Sequence, residues 1–238
     1  MTDWTRHWTT YPLRFPPGDH LRQVGKTVGG RPISEEQVDR IVTDIERGLG
    51  LEPNDVVLDL CCGNGLLTAR IARRCRRVLG VDLSEPLLRV AERDHRPDNV
   101  AYARLPALQA ARLPLPPGVR FNKVLMYEAL QHFRTADLPS LLDAILALVG
   151  EGFVLFFGSV PDRALRRRFY DTPRRRLVSL ARALLGRDAI GTWWERGVLR
   201  RALEDRGLEA LFLEQSRELH TSHYRFDLAA VPRIRPAA

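Results

Sequence analysis

Val56-Val57-Leu58-Asp59-Leu60-Cys61-Cys62-Gly63-Asn64-Gly65 decides the fold. An apolar run reaches an acidic residue and breaks into a small-residue turn. Such a run reads as a strand buried on both faces of a parallel sheet. Leu66 to Cys75 follows as an amphipathic helical stretch, and a second short apolar strand ends in Asp82. Strand, glycine turn, helix and carboxylate-tipped strand together form a unit that takes an adenosine-like ligand at the carboxyl ends of parallel strands.

Gly63-Asn64-Gly65 supplies a tight turn that lets backbone approach a ligand. The dinucleotide fingerprint Gly-x-Gly-x-x-Gly would need a third glycine where Thr68 stands. No Lys-Ser/Thr pair follows, which excludes a P-loop. Asp59, just before the turn, would repel a pyrophosphate and attract a cation. The stretch therefore argues against NAD and ATP. It argues for a ligand with an amine or sulfonium near the turn and a ribose near Asp82.

Working outward, strands are predicted near 56–60, 77–81, 99–103, 121–127, 152–158, 208–215 and 224–231. Helices are predicted near 66–74, 85–93, 137–148 and 195–205. This alternation implies an α/β fold: a doubly wound, seven-stranded, mostly parallel sheet covered on both faces. The last two strands have no helix between them and should form an antiparallel hairpin. A single domain of 238 residues has room for a full core. Residues 1–50 read as an N-terminal cap and first helix, 51–159 as the ligand-binding core, and 191–238 as a C-terminal helix and hairpin. Ser34-Glu35-Glu36-Gln37 is a capping box opening a helix that runs to about Leu49. The cap also carries a short helix near His20 to Val24. Residues 160–190 exceed a normal connection and read as an inserted helical lid after strand five, Ala164 to Tyr170 and Pro173 to Leu185, or else as a solvated basic helix pair.

Asp59-Leu60-Cys61-Cys62-Gly63-Asn64-Gly65 resembles the first motif of class I S-adenosylmethionine-dependent methyltransferases of the small-molecule type, with Cys61 in place of the first glycine of Asp-x-Gly-x-Gly-x-Gly. Gly80-Val81-Asp82-Leu83-Ser84 resembles the second motif, whose acid holds the ribose hydroxyls. Phe121 to Phe133 resembles the fourth-strand motif, Gly152 to Ser159 the fifth strand, Trp193 to Leu213 the late helix and strand, and Tyr224 to Val231 the last strand. The resemblance spans roughly Leu51 to Val231. It implies S-adenosyl-L-methionine as cofactor and S-adenosyl-L-homocysteine as product, with Asp59, Cys61, Gly63, Asn64, Gly65, Asp82, Leu83 and Tyr127 in the cofactor site. Many relatives place an acid after the third strand to meet the adenine amine. Tyr102 to Leu108 has none, which leaves backbone groups and apolar contact with Leu83, Leu105 and Pro106 to hold adenine.

A methyl transferred from sulfonium to hydroxyl needs alignment, exclusion of water and a base. The loop after strand four, Tyr127-Glu128-Ala129-Leu130-Gln131-His132, should face the methyl group. His132 is the candidate base, because free imidazole titrates near neutrality, or a packed helix-terminal histidine. Glu128 is a second catalytic candidate that would orient an acceptor or meet the cofactor amine, or merely cap a short helix. Arg22, Gln23 and Lys26, in the segment that folds over the cofactor in similar methyltransferases, are candidates for anion or substrate binding, or surface groups. Trp8, four residues after Trp4 on one helical face, would wall the substrate pocket or anchor the cap. Tyr170 and Tyr224 would join the pocket if the insertion folds back. His220 and His223 lack zinc-site spacing, and no metal is expected.

Net charge is +8, and Arg163, Arg166, Arg167, Arg168, Arg174, Arg175, Arg176 and Arg182 crowd one segment. This suits an anionic substrate, a membrane surface or RNA. The lid and aromatic cap imply an enclosed acceptor site. The expectation is therefore a small-molecule acceptor, anionic or carrier-attached, methylated on a hydroxyl oxygen of a sugar derivative or specialised metabolite. Nitrogen and carbon acceptors stay open. The alternatives are an RNA or other nucleic-acid methyltransferase, for which no binding motif is present, and a non-catalytic cofactor-binding fold. No apolar run is long enough to span a bilayer. The first residues lack a signal-peptide stretch, and Cys61, Cys62 and Cys75 read as reduced thiols of a cytoplasmic protein. The sequence leaves the oligomeric state open.

Overall fold

The computed structural model describes residues 3–184 and 188–233. The N-terminal segment holds α1 (Trp4–Thr10), α2 (His20–Gln23) and a two-residue hairpin of β1 (Thr27–Val28) and β2 (Arg31–Pro32), before α3 (Glu35–Leu49). The core follows as β3 (Val56–Leu60), α4 (Leu66–Ile71), β4 (Arg77–Asp82), α5 (Glu85–Asp94), β5 (Val100–Arg104), β6 (Phe121–Tyr127), α6 (Leu138–Leu146) and β7 (Val149–Pro161). The insertion carries α7 (Arg166–Phe169) and α8 (Pro173–Leu184). Then come α9 (Arg196–Glu204), β8 (Leu208–Glu214) and β9 (Arg225–Pro232). Leu185, the expected end of α8, and residues 234–238 lie outside the described residues.

The seven-stranded sheet has the order β5-β4-β3-β6-β7-β9-β8. Its first five strands run parallel, and β9 is antiparallel to both β7 and β8. The expected doubly wound sheet with a C-terminal antiparallel hairpin is what forms. The chain winds outward from β3 through β4 to β5 and then returns to β6 on the other side of β3. The crevice at that reversal is where ligands bind in open α/β sheets.

Strand alternation builds two cores. Leu58, Leu60, Val124, Met126, Leu155, Phe157, Phe226 and Leu228 face α6 and α9. Val57, Leu125, Phe156 and Ala229 face α3 and α4. Successive residues point to opposite faces, so a parallel strand buried on both sides must be apolar throughout. Ser34 caps α3 by accepting from the Gln37 amide, and Gly50, left-handed, ends it. Gly48 lies inside this helix. It lies against the Phe156 ring, where a Cβ would overlap the ring itself.

β7 outruns its expected span at both ends. A bulge sets Gly158 and Ser159 opposite the single residue Asp227, since Phe157 pairs with Leu228 and Val160 with Phe226. Ser159 is left-handed there, with φ 57°. The bulge lets β7 continue to Pro161 beside Arg225. No helix among the described residues is long and apolar enough to cross a membrane.

Candidate functional site

A cavity of about 260 Å³ opens at the carboxyl ends of β3, β4 and β6. The turn after β3 forms its floor. Gly63 and Gly65 are left-handed, at φ 59° and 77°. A Cβ at Gly65 would overlap the Tyr102 hydroxyl, and one at Gly80 would sit against the Tyr102 ring. Tyr102 on β5 thus lies across both glycines, and its hydroxyl donates to the His95 carbonyl at 2.6 Å. Both glycines are needed because an aromatic ring occupies the space of their missing side chains.

Asp82 holds the turn from the neighbouring strand. Its Oδ2 accepts from the Gly63 amide at 2.9 Å, and its Oδ1 from the Ser84 amide at 2.8 Å. Burial raises its pKa, and those amide donors oppose the rise. Asp59, 3 % exposed, accepts from Thr68 Oγ1 at 2.6 Å. Its pKa is pushed up to about 7, first by burial and further by the charge of Asp82. The Cys61 and Cys62 thiols are pushed well above their ordinary value by burial and by the two carboxylates. Such thiols are poor nucleophiles.

The N-terminal segment forms the roof. Asn64, 1 % exposed, donates to the His20 carbonyl at 2.9 Å and to Gln23 Oε1 at 3.2 Å. Gln23 donates in turn to the carbonyls of Pro16 and Pro17. Ser84 Oγ donates to the Trp8 carbonyl at 2.7 Å while capping α5. These bonds hold α1 over the cavity, and Trp4, Thr5 and Trp8 line it.

The far wall is the loop after β6. Glu128 is left-handed, φ 51°, and its carboxylate pairs with Lys26 Nζ at 2.7 Å. Burial would raise its pKa, but the charges of Lys26 and Arg225 outweigh that and hold it down at about 2. Lys26, 6 % exposed, also lies 4.9 Å from the Tyr127 ring centroid. His132 packs between Trp4 and Trp8, with ring centroids 4.2 and 5.4 Å away. Burial first, then the charge of Arg225, lowers its pKa to about 3. Its imidazole is therefore neutral at any physiological pH, far from the near-neutral titration expected of a free histidine. The Tyr127 hydroxyl and His132 Nδ1 are buried with no hydrogen-bond partner among the described residues.

Of the residues expected from sequence, the fold gathers Asp59, Cys61, Gly63, Asn64, Asp82, Leu83, Pro106, Tyr127, Glu128, His132, Trp8 and Lys26 around this cavity. Leu105 does not line it; Ala107 and Leu108, next along the same connection, do. Gly65 shapes the turn from behind. Arg22 pairs with Asp19 at 3.0 Å, and Gln23 is spent inside the cap. Tyr170 donates to Asp188 at 2.8 Å, and Tyr224 packs on Phe169 with centroids 4.7 Å apart, both away from the cavity. Among the described residues, none of α7 or α8 lines the cavity. Among the described residues no three His, Cys, Asp or Glu side chains converge as metal ligands would.

A family described as a methyltransferase domain matches residues 57–152, the stretch that supplies the turn, Asp82 and the Tyr127–His132 loop. That stretch is a methyltransferase domain. It is 30% identical over 173 residues to a ubiquinone biosynthesis O-methyltransferase of Methylobacterium sp. (strain 4-46), covering 67% of this chain and 63% of that protein. An uncharacterized methyltransferase of Schizosaccharomyces pombe is 39% identical over 54 residues, 23% of this chain and 21% of that protein. The chain thus spans less than two thirds of these curated relatives. Among solved structures, magnesium protoporphyrin IX methyltransferase (ChlM) of Synechocystis PCC 6803 with bound SAH has a TM-score of 0.64 at 16% identity, covering 97% of this chain and 98% of that one. The DhpI-SAM-HEP complex has a TM-score of 0.63 at 15% identity, covering 98% and 96%. At those identities the two structures share the fold.

Proposed function

We propose that this protein transfers a methyl group from S-adenosyl-L-methionine to a hydroxyl oxygen of a small specialised metabolite in the cytoplasm. The observation that carries this reading is the convergence of two buried carboxylates, a left-handed glycine turn and a neutral imidazole in one roofed cavity. S-adenosylmethionine, when bound, supplies a methyl group made electrophilic by its sulfonium.

The residues present suit that molecule. Asp82 has its carboxylate at the end of β4, where a ribose diol would be accepted. Asp59 offers negative charge to the cationic end of the ligand. Leu83, Pro106, Ala107 and Leu108 supply the apolar surface for adenine in place of an acid. Tyr127 and the Lys26–Glu128 pair meet the amino-acid end. The roof of Trp4 and Trp8 excludes water, which protects a displacement from hydrolysis.

His132 accepts the hydroxyl proton in this reading. It is already in its base form, but with a pKa of about 3 it is a weak base. Any bound group that offsets Arg225 raises its basicity. Oxygen as the acceptor atom also agrees with the O-methyltransferase among the relatives. The aromatic walls favour a flat ring system over a sugar, and the excess of basic residues favours an anion. In the same reading residues 160–190 partly cover the acceptor entrance through Asp188, Ala189 and Ile190.

Calorimetric titration with S-adenosylmethionine and S-adenosylhomocysteine tests the cofactor half, and methyl-labelled transfer to a panel of phenolic acids tests the acceptor half. Micromolar binding with labelled product is expected. Absence of binding by both cofactor forms refutes the reading.

A further inference from the structure

Beside the cofactor cavity lies a second chamber of about 370 Å³, which shares Trp4, Trp8 and His132 with it. His7 and Tyr11, stacked with centroids 5.0 Å apart, form its aromatic side. Arg225, at the start of β9, forms its floor. The side chain is 5 % exposed. Among the described residues it has no carboxylate within ion-pair distance, and its hydrogen bonds all leave from Nη1, to the Ser159 carbonyl and to Gln131 Oε1. Nε is buried with no acceptor. A guanidinium taken out of water without a counter-charge is costly, and such groups are found paired.

Among the described residues none of the neighbouring acids reaches Arg225 within ion-pair distance. Glu128 is engaged by Lys26 at 2.7 Å. Asp227, on the same face of β9, accepts from the Ser159 amide at 2.6 Å and from Gln215 at 3.0 Å. Asp188, which also lines the chamber, pairs with Arg166 at 2.8 Å and accepts from Tyr170, Trp193 and the Ile190 amide. Among the described residues Lys26 thus has a carboxylate in direct contact and Arg225 has none, which leaves its guanidinium on an aromatic-walled chamber without an ion-pair partner.

We infer that Arg225 anchors the acceptor, which carries a carboxylate on a flat apolar body and lies in this second chamber with its reacting end past His132. The inference rests on the methyltransferase reading and names its substrate class. Nη1 is spent and Nε is sealed off, so Nη2 remains to donate to a carboxylate oxygen. The aromatic walls take the ring. His132 is the partition between the two chambers, so an acceptor seated on Arg225 meets the methyl donor at that imidazole.

The test uses the whole protein saturated with S-adenosylhomocysteine and two matched probe pairs, benzoate with benzamide and 2-naphthoate with 2-naphthamide, titrated by calorimetry. Each carboxylate should bind at least ~10-fold more tightly than its amide, the scale of one charge-assisted hydrogen bond. Arg225→Met should reduce that ratio to within about two-fold. Arg225 also clamps the β7 bulge, so Gln131→Glu provides an independent variant that leaves the clamp in place. A carboxylate at position 131 pairs with the guanidinium internally and should erase the same preference. Both variants should keep S-adenosylhomocysteine affinity. Equal binding of acid and amide by the unmodified protein, no binding of any probe, or a preference surviving in both variants overturns the assignment. Failure of S-adenosylhomocysteine itself to bind sinks the underlying methyltransferase reading instead.

Discussion

Asp59→Asn should make the protein more stable in alkaline solution while weakening its hold on the cofactor. The Asp59 carboxylate is 3 % exposed and its pKa stands at about 7 against an ordinary 3.8. A carboxylate whose folded-state value is raised contributes its full stability below the unfolded value and loses it as pH rises to the folded one. Across that window the folded state forfeits ~4 kcal/mol, at 1.36 kcal/mol per pKa unit. Between pH 5 and pH 8 the part still to be lost is ~3 kcal/mol, because the penalty stops growing once the folded-state value is passed.

Asparagine cannot ionise, and its amide oxygen can still accept from Thr68 Oγ1. The gap between variant and unmodified stability should therefore widen by ~3 kcal/mol from pH 5 to pH 8 in urea unfolding. Taking the difference cancels the titration of every other group that does not feel Asp59. If the two stability curves stay parallel over that range, Asp59 is ionised at ordinary pH in the folded protein and the burial argument is refuted. The same carboxylate should be needed by a cationic ligand. Binding of S-adenosylmethionine near pH 6 should release close to one proton in the unmodified protein and none in Asp59→Asn. Calorimetry in buffers of different ionisation heat reads this directly.

Asp82→Ala should orphan the Gly63 and Ser84 amides, costing ~2–5 kcal/mol for two buried donors, and should weaken S-adenosylhomocysteine binding; unchanged affinity in titration would remove Asp82 from the cofactor site. Gly48→Ala gains ~1 kcal/mol of helix propensity but drives a methyl into the Phe156 ring at ~1–3 kcal/mol, so a net loss of up to ~2 kcal/mol is expected in urea unfolding. His132→Ala should lower turnover far more than cofactor affinity, and an equal loss in both would mark a packing role. Lys26→Met should cost ~3–5 kcal/mol by stranding the Glu128 carboxylate, with much of that loss recovered in the double variant Lys26→Met/Glu128→Gln.

The sheet was legible because its information is local. A two-faced apolar strand, a glycine turn and an acid at the next strand's tip lie within 27 residues, and their order forces the ligand to the carboxyl ends. The tryptophan pair was legible for the same reason, since a spacing of four sets both rings on one face of α1. Lys26 and Glu128 are 102 residues apart, and no pattern links them. Arg22 and Gln23 looked like ligand contacts because their types allow it. Only the fold shows that Asp19, Pro16 and Pro17 consume their donors first, while Asn64 takes the Gln23 acceptor. The histidine pKa was out of reach in principle, because it depends on two tryptophans and an arginine brought in from distant segments.

Arg225 escaped sequence reasoning for a further reason. Its role depends on strand register, and the register changes at the bulge of Ser159. Among the described residues, three non-glycine residues hold left-handed backbone: Cys61, Glu128 and Ser159. They stand just beyond β3, just beyond β6 and inside β7, three adjacent strands. Each costs on the order of 1–3 kcal/mol, which persists only where surrounding contacts fix it. Each also does something there that an extended residue would not. Cys61 turns the chain into the glycine loop, Glu128 swings its carboxylate to Lys26, and Ser159 presents its carbonyl to Arg225. The strain thus falls on three adjacent strands: Cys61 and Glu128 line the first cavity, and Ser159 holds Arg225, which lines the second.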